Sequence, residues 1–167
     1  MRKKIFVMIM GLMAAFTTAN AQYLNDSQNV FSEGKWMIGA SASGLDLNYH
    51  GNTKWSLDLQ AKGGYLFADD LMITANLGYQ NSTYGMSTFK LGAGVRYYFE
   101  DNGLYLGAGA NFFHAAQIDD LKPEIHAGYA YFLSGHATIE PEIYYEQSFK
   151  NSDYTGIGFR LGFAYYF

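Results

Sequence analysis

The sequence predicts an all-β protein: an eight-stranded antiparallel up-and-down transmembrane β-barrel, preceded by a cleaved signal peptide. Three observations predict it. Apolar and polar residues alternate with a period of two through eight segments. The apolar positions of those segments carry no charge. The connections are alternately short and long. Successive side chains of a strand point to opposite faces, so each segment has one apolar face and one small, polar or charged face.

Export comes first along the chain. Arg2, Lys3 and Lys4 precede an apolar run of 12 residues, Ile5 to Phe16, and Ala19-Asn20-Ala21 supplies an A-x-A cleavage site. The run is too short to span a bilayer as a helix and suits a secretory signal better than a membrane anchor. The expected organisation is a signal peptide at 1–21, a periplasmic lead-in at 22–33 and the barrel domain at 34–167. Residues 22–33 carry no clear pattern and suggest a flexible segment.

The first strand, about 35–43, sets Trp36, Ile38, Ala40 and Ala42 against Lys35, Met37, Gly39, Ser41 and Ser43. The alternation changes phase after Gly44, which suggests a bulge or the start of a loop. Segment 55–67 sets Trp55, Leu57, Leu59, Tyr65 and Phe67 against Ser56, Asp58, Gln60 and Lys62. Segment 71–80 sets Leu71, Ile73, Leu77 and Tyr79 against Thr74, Asn76 and Gln80. Segment 89–99 sets Phe89, Leu91, Val95, Tyr97 and Phe99 against Lys90, Arg96 and Tyr98. Segment 104–113 sets Leu104, Leu106 and Phe112 against Tyr105, Asn111 and Phe113. Segment 121–133 sets Leu121, Ile125, Tyr129 and Tyr131 against Lys122, Glu124 and His126. Segment 137–147 sets Ile139, Pro141, Ile143 and Tyr145 against Thr138, Glu140, Glu142 and Glu146. The last, 157–167, sets Ile157, Phe159, Leu161, Phe163, Tyr165 and Phe167 against Arg160, Gly162 and Tyr166. Each is about the 9–11 residues that a tilted strand needs to cross a bilayer.

Short connections fall at Ala68-Asp69-Asp70, Asn102-Gly103 and Ser134-Gly135-His136, and longer ones at about 44–53, 81–88, 114–120 and 148–153. Short turns at one end and long loops at the other place both termini on the periplasmic side. Taking Asn102-Gly103 as a two-residue turn pairs Arg96 with Gly109 and Tyr98 with Gly107.

The faces decide between a soluble, lipocalin-like barrel and a membrane barrel. The charges Asp58, Lys62, Lys90, Arg96, Lys122, Glu124, Glu140, Glu142, Glu146 and Arg160 share their faces with many glycines, which suit a crowded lumen better than a solvated surface. Tracing the strands up and down places two aromatic belts. Trp36, Phe67, Tyr97, Phe99, Tyr131, Tyr165 and Phe167 fall near the short turns, and Trp55, Tyr79, Phe89, Phe112 and Tyr145 near the loops. Such girdles mark the two interfaces of a transmembrane barrel.

The chain ends on Gly162-Phe163-Ala164-Tyr165-Tyr166-Phe167. Its alternating aromatics, Phe163, Tyr165 and Phe167, resemble the assembly signal of outer-membrane β-barrel proteins. The chain as a whole is most similar to the small OmpA/OmpX-type group. That resemblance implies a Gram-negative outer membrane, contact with its lipid, and recognition of the last strand by the barrel-insertion machinery. It also implies a structural or surface-interaction role. Relative to that group the loops here are short.

Eight strands leave an interior just wide enough for side chains to fill. A plausible register of the last hairpin sets Glu142 opposite Arg160 and Glu140 opposite Gly162. With Arg96, Lys62, Glu124 and Lys122 these form a candidate ion network in the lumen. Buried charges must be paired or wet. The network reads as a structural plug, with a narrow gated channel as the alternative and the Glu142–Arg160 pair as its gate. A transporter of small apolar solutes is a further alternative.

Several classes are set aside. Removing the signal leaves eight basic residues against 15 acidic ones, a net charge of −7, which argues against nucleic acid. There is no cysteine, and no pair of histidines has zinc-ligand spacing, so no metal or other cofactor is expected. A lipid A-modifying enzyme ranks third. Lipid A deacylases carry a His two residues before a Ser; His114 is followed at that spacing by Ala116, so the nucleophile is missing and no enzyme is expected. Any surface ligand stays unassigned.

Overall fold

A computed structural model describes residues 30–48, 53–82, 87–99, 103–115, 118–150 and 155–167. The strands are β1 (Trp36–Asn48), β2 (Thr53–Ala68), β3 (Leu71–Ser82), β4 (Ser87–Tyr98), β5 (Leu104–Ala115), β6 (Ile118–Tyr129), β7 (Tyr131–Phe132), β8 (Ala137–Glu146) and β9 (Gly156–Tyr166). Each pairs antiparallel with its neighbours, and β1 pairs with both β2 and β9. β8 pairs with β9 on one side and with both β6 and β7 on the other, which closes the ring. β6 and the two-residue β7 are segments of one crossing. The barrel therefore has eight crossings, those read from the alternation.

The break between β6 and β7 has a local cause. The register is the same on both sides of it, from Gly128↔Glu142 to Tyr131↔Ile139. Tyr129 thus stands opposite Pro141, which has no N–H to give the ladder. On the other side of the strand the Ala130 N–H continues the β5–β6 register, donating to the Gly103 carbonyl at 2.8 Å. Nothing in the alternation of 137–147 accounts for this proline; its cross-strand position does.

The phase change after Gly44 is a bulge. The register of β1 shifts between Ser43 and Leu45 against both β2 and β9. β1 then continues as strand to Asn48, so the segment is longer than the alternation indicates.

One register departs from expectation. Arg96 pairs with Gly107 and Tyr98 with Tyr105, two residues away from the partners that a two-residue Asn102-Gly103 turn imposes. The Phe99 N–H donates to the Leu104 carbonyl at 2.8 Å, so four residues, 100–103, make the connection. Gly103 ends it with φ of 70°, a left-handed value that glycine adopts without strain. The faces are unaffected, because a shift of two conserves the pleat.

The apolar faces point outward. Ile38, Ile73, Leu91, Ile125 and Phe163 are all exposed, whereas the alternate residues are buried in the lumen. The aromatic belts lie on this outer surface. Trp36, Phe67, Tyr97, Tyr165 and Phe167 are exposed at the short-turn end, and Tyr79, Phe89, Phe112 and Tyr145 at the loop end. The side chain of Trp55 lies outside the described residues, as do the signal peptide and residues 22–29.

Val30 and Phe31, in a segment assigned from sequence to a patternless lead-in, pack into the barrel mouth at the short-turn end. Val30 is buried, and the Phe31 ring stacks on Tyr98 with centroids 4.1 Å apart. The Asp70 N–H donates to the Phe31 carbonyl at 2.9 Å, and the Gly34 N–H to Leu66 at 2.8 Å. These residues carry no period because they form a turn whose side chains fill a hole.

Candidate functional site: the lumen

The inward faces stack into three layers. The lowest, at the short-turn end, is apolar and aromatic. Leu66, Met72, Tyr98, Tyr105 and Tyr166 are almost fully buried there, above Val30 and Phe31. Three tyrosine hydroxyls point up from this layer, two of them onto carboxylates. Tyr166 donates to Glu140 at 2.6 Å and Tyr105 to Glu142 at 3.1 Å. The Tyr98 hydroxyl lies 3.0 Å from that of Tyr166 and accepts from Arg96 at 3.1 Å.

The middle layer is ionic, with Glu142 as its hub. Glu142 lies directly opposite Arg160 in the β8–β9 ladder, and Glu140 opposite Gly162. Arg160 is ion-paired to Glu142 and reaches Glu124 at 2.7 Å. Arg96 binds Glu140 at 2.9 Å and Glu142 at 3.1 Å, and its guanidinium lies 3.9 Å from the Tyr105 ring centroid. Lys62 meets Glu142 at 3.3 Å. Glu142 thus holds three cations contributed by β2, β4 and β9. A carboxylate with two oxygens and about four lone-pair sites can satisfy them together.

Gly107 makes this layer possible. It stands between Arg96 on β4 and His126 on β6. A side chain there would overlap the His126 ring. His126 lies in the lumen with Nδ1 at 3.1 Å from Glu124 Oε1 and Nε2 at 4.0 Å from Glu142 Oε2. Beside it is a polar cavity lined by Lys62, Asn76, Arg96, Glu124, His126 and Arg160. Asn76 Oδ1, Arg96 Nε and both His126 nitrogens are buried there without hydrogen-bond partners.

The upper layer, toward the loops, is mixed. Asp58 and Lys90 form an ion pair. Asn111 donates to Glu124 at 2.9 Å and to Glu146 at 3.1 Å. The Phe113 ring receives two ammonium groups, Lys122 at 3.8 Å and Lys90 at 4.7 Å from its centroid. Ser148 donates to Asp120 at 2.6 Å.

Of the seven residues expected to form the network, Glu142, Arg160, Arg96, Lys62, Glu140 and Glu124 are joined directly. Lys122 sits one layer higher, over Phe113. The Asp58–Lys90 pair and the three tyrosine hydroxyls were missing from that set. Their inward positions in the alternation were the available signal. Among the described residues, Glu124, His126 and Glu142 are the one group whose donor types suit a metal. Arg160, Arg96 and Lys62 already occupy those carboxylates. The side chain of His114 and the position of Ala116 lie outside the described residues, as does His50. His136 is exposed beside Tyr165 in a short turn.

No family model matches the chain. No curated protein matches it either. Solved structures do. Neisserial surface protein A superposes with a TM-score of 0.63 at 14% identity, over 80% of this chain and 97% of that one. The N-terminal β-barrel domain of Pseudomonas aeruginosa OprF gives 0.63 at 15%, over 81% and 98%. Ail, the attachment invasion locus protein of Yersinia pestis, gives 0.53 at 15%, over 81% and 99%. The fold is that of the small eight-stranded outer-membrane β-barrels.

Proposed function

We propose that this chain is an integral protein of a Gram-negative outer membrane, exported after cleavage behind Ala21, with both termini periplasmic and a closed, structural lumen. The alternation that faces apolar residues to lipid supports the location, as do the two aromatic belts. Insertion through the last strand, with Phe163, Tyr165 and Phe167 as the assembly signal, follows from the resemblance of its ending. The interacting surface is then the set of four loops.

One observation carries the closed lumen. The apolar layer of Leu66, Met72, Tyr98, Tyr105 and Tyr166 lies in series with the ion-paired layer, and Phe31 covers it from below. An ion crossing the barrel meets a gap in the polar lining and then three cations held on one carboxylate. Opening the Glu142–Arg160 pair alone leaves the aromatic layer in place. A gated channel therefore needs two barriers to move together.

Ail has been solved in complex with a heparin analogue, sucrose octasulfate. The predicted loops of this chain at about 44–53, 81–88, 114–120 and 148–153 contain only Lys150 and two histidines, His50 and His114, as cationic or potentially cationic groups. That charge does not favour a polyanion, so the surface partner proposed here is not a sulfated glycan.

Planar-bilayer recording of the protein purified from membranes tests the closed lumen. Silence from barrels shown to be folded is expected. Discrete, reproducible current steps would overturn it and make Glu142 and Arg160 gating residues.

A further inference from the structure

We propose that His126 is a proton-binding site that clamps the weakest seam of the barrel. Two independent observations meet there. The first is the seam. β8 joins β6 through five rungs, from Glu124↔Glu146 to Gly128↔Glu142, and β7 through two. Every other pair of neighbouring strands shares ten to twelve rungs. Pro141 interrupts the seam opposite Tyr129, as described above. Even with the Gln147 N–H on the Pro123 carbonyl at 3.0 Å, the seam of β8 with β6 and β7 has fewer rungs than any other, and side chains must supply more of the bond across it.

The second observation is the imidazole. The His126 side chain is 8% exposed, and neither nitrogen has a hydrogen-bond partner. Both face carboxylate oxygens: Nδ1 faces Glu124 on its own strand, and Nε2 faces Glu142 across the seam. A neutral imidazole has one N–H and one lone pair. In either tautomer a lone pair is then aimed at a carboxylate. Only the imidazolium, with two N–H groups, suits both. Protonation lets one ring draw Glu124 of β6 and Glu142 of β8 together.

The groups that face His126 are Glu124 on β6, Tyr105 on β5, Glu142 and Tyr144 on β8, Arg160 on β9, and Lys62 and Arg96 across the cavity. The competing ligand for two carboxylates and an imidazole is a divalent cation. The three cations already on those carboxylates oppose two further positive charges more than they oppose one. Protonation of the ring therefore tightens the β6–β8 seam, and loss of the proton loosens it. This inference stands whether or not the lumen conducts.

Amide hydrogen exchange on the protein purified from membranes tests it, at about pH 8 and about pH 5.5, corrected for intrinsic rates. Amides at Glu124–Gly128 and Glu142–Glu146 are expected to gain about tenfold protection at the lower pH relative to the β1–β2 ladder, equivalent to about 1.4 kcal/mol. His126→Gln is expected to abolish the gain. An equal gain in the variant, or none in the wild type, would overturn the proposal. If His126→Gln fails to fold, the imidazole nitrogen shifts of the wild type decide. Both nitrogens protonated at the lower pH support the clamp, and a neutral tautomer at both pH values refutes it. Zinc-induced protection of the same amides at pH 8 would replace the proton with a metal ion and also overturn it.

Discussion

Glu142→Leu removes the hub of the middle layer at nearly constant volume, and its cost can be worked out from what each partner keeps. Arg160 retains Glu124 at 2.7 Å and Gln60 at 3.0 Å. Arg96 retains Glu140 at 2.9 Å. The hydrogen bonds of Lys62 described in the structure both go to Glu142, at 3.3 and 3.4 Å. One cation, not three, is left uncompensated. Removing one partner of a buried ion pair costs about 3–5 kcal/mol. Summing three such pairs would give roughly 10 kcal/mol, which counts Arg160 and Arg96 as if they were stranded. The expected loss is about 3 kcal/mol, the low end, because Lys62 is slightly exposed and can draw in water. Urea unfolding in lipid vesicles, followed by tryptophan fluorescence, measures it. The double variant Lys62→Met with Glu142→Leu is expected to recover at least about 1 kcal/mol, since neighbours in one network couple. An unchanged midpoint for Glu142→Leu would refute the reasoning outright. Strict additivity in the double variant would refute the assignment of the stranded charge to Lys62.

Three further outcomes follow from the packing of the barrel. A side chain at Gly94 would lie 2.7 Å from the Ala108 carbonyl oxygen, which is backbone and cannot step aside, whereas Gly63 faces open space. Gly94→Ala is expected to cost about 1–3 kcal/mol in the same unfolding assay, and Gly63→Ala to gain about 0.5 kcal/mol. Phe31→Ala removes the ring stacked on Tyr98 and is expected to cost about 2 kcal/mol while leaving bilayer recordings silent, because the Tyr98 and Tyr166 hydroxyls still meet above it.

How much of this was legible beforehand divides by the kind of information each feature needs. The crossings and their two faces were readable because a period of two is local: Ile157 to Phe167 declares its lipid face with no knowledge of any other strand. The bulge at Ser43–Leu45 left a local trace as well, the change of phase after Gly44. Glu142 opposite Arg160 was readable because the register of the last hairpin follows from the positions of its two strands. The Arg96–Gly109 pairing was not, since Asn102-Gly103 looks like a two-residue turn and is part of a four-residue one. The role of Val30 and Phe31 left no trace at all. A plug is defined by the hole it fills, and that hole is built from Tyr98, Phe132 and Tyr166, residues far along the chain. Pro141 was visible but uninterpretable until its partner, Tyr129, was known.

The register of this barrel is set by its interior. A slip of one residue turns every side chain of a strand to the wrong face and is forbidden by lipid. A slip of two is not. It conserves the apolar outer face, and the outer surface of β9 is apolar at every odd position from Ile157 to Phe167, so the bilayer is indifferent to it. A two-residue turn at Asn102-Gly103 would differ from the observed register by a slip of this kind. The choice must then be made inside. An apolar interior would gain little there, because lipid tails are as apolar as leucine. Paired charges are different. Moving β8 by two against β9 places either Glu140 or Tyr144 opposite Arg160, and in both cases the carboxylate that holds Lys62, Arg96 and Arg160 together is displaced from one of them. A buried ionic network is weak evidence of stability over a well-packed apolar one, but it distinguishes registers that hydrophobicity leaves degenerate. On this argument the charges of the lumen serve first to specify which strand residues face one another, and the closed interior follows from it.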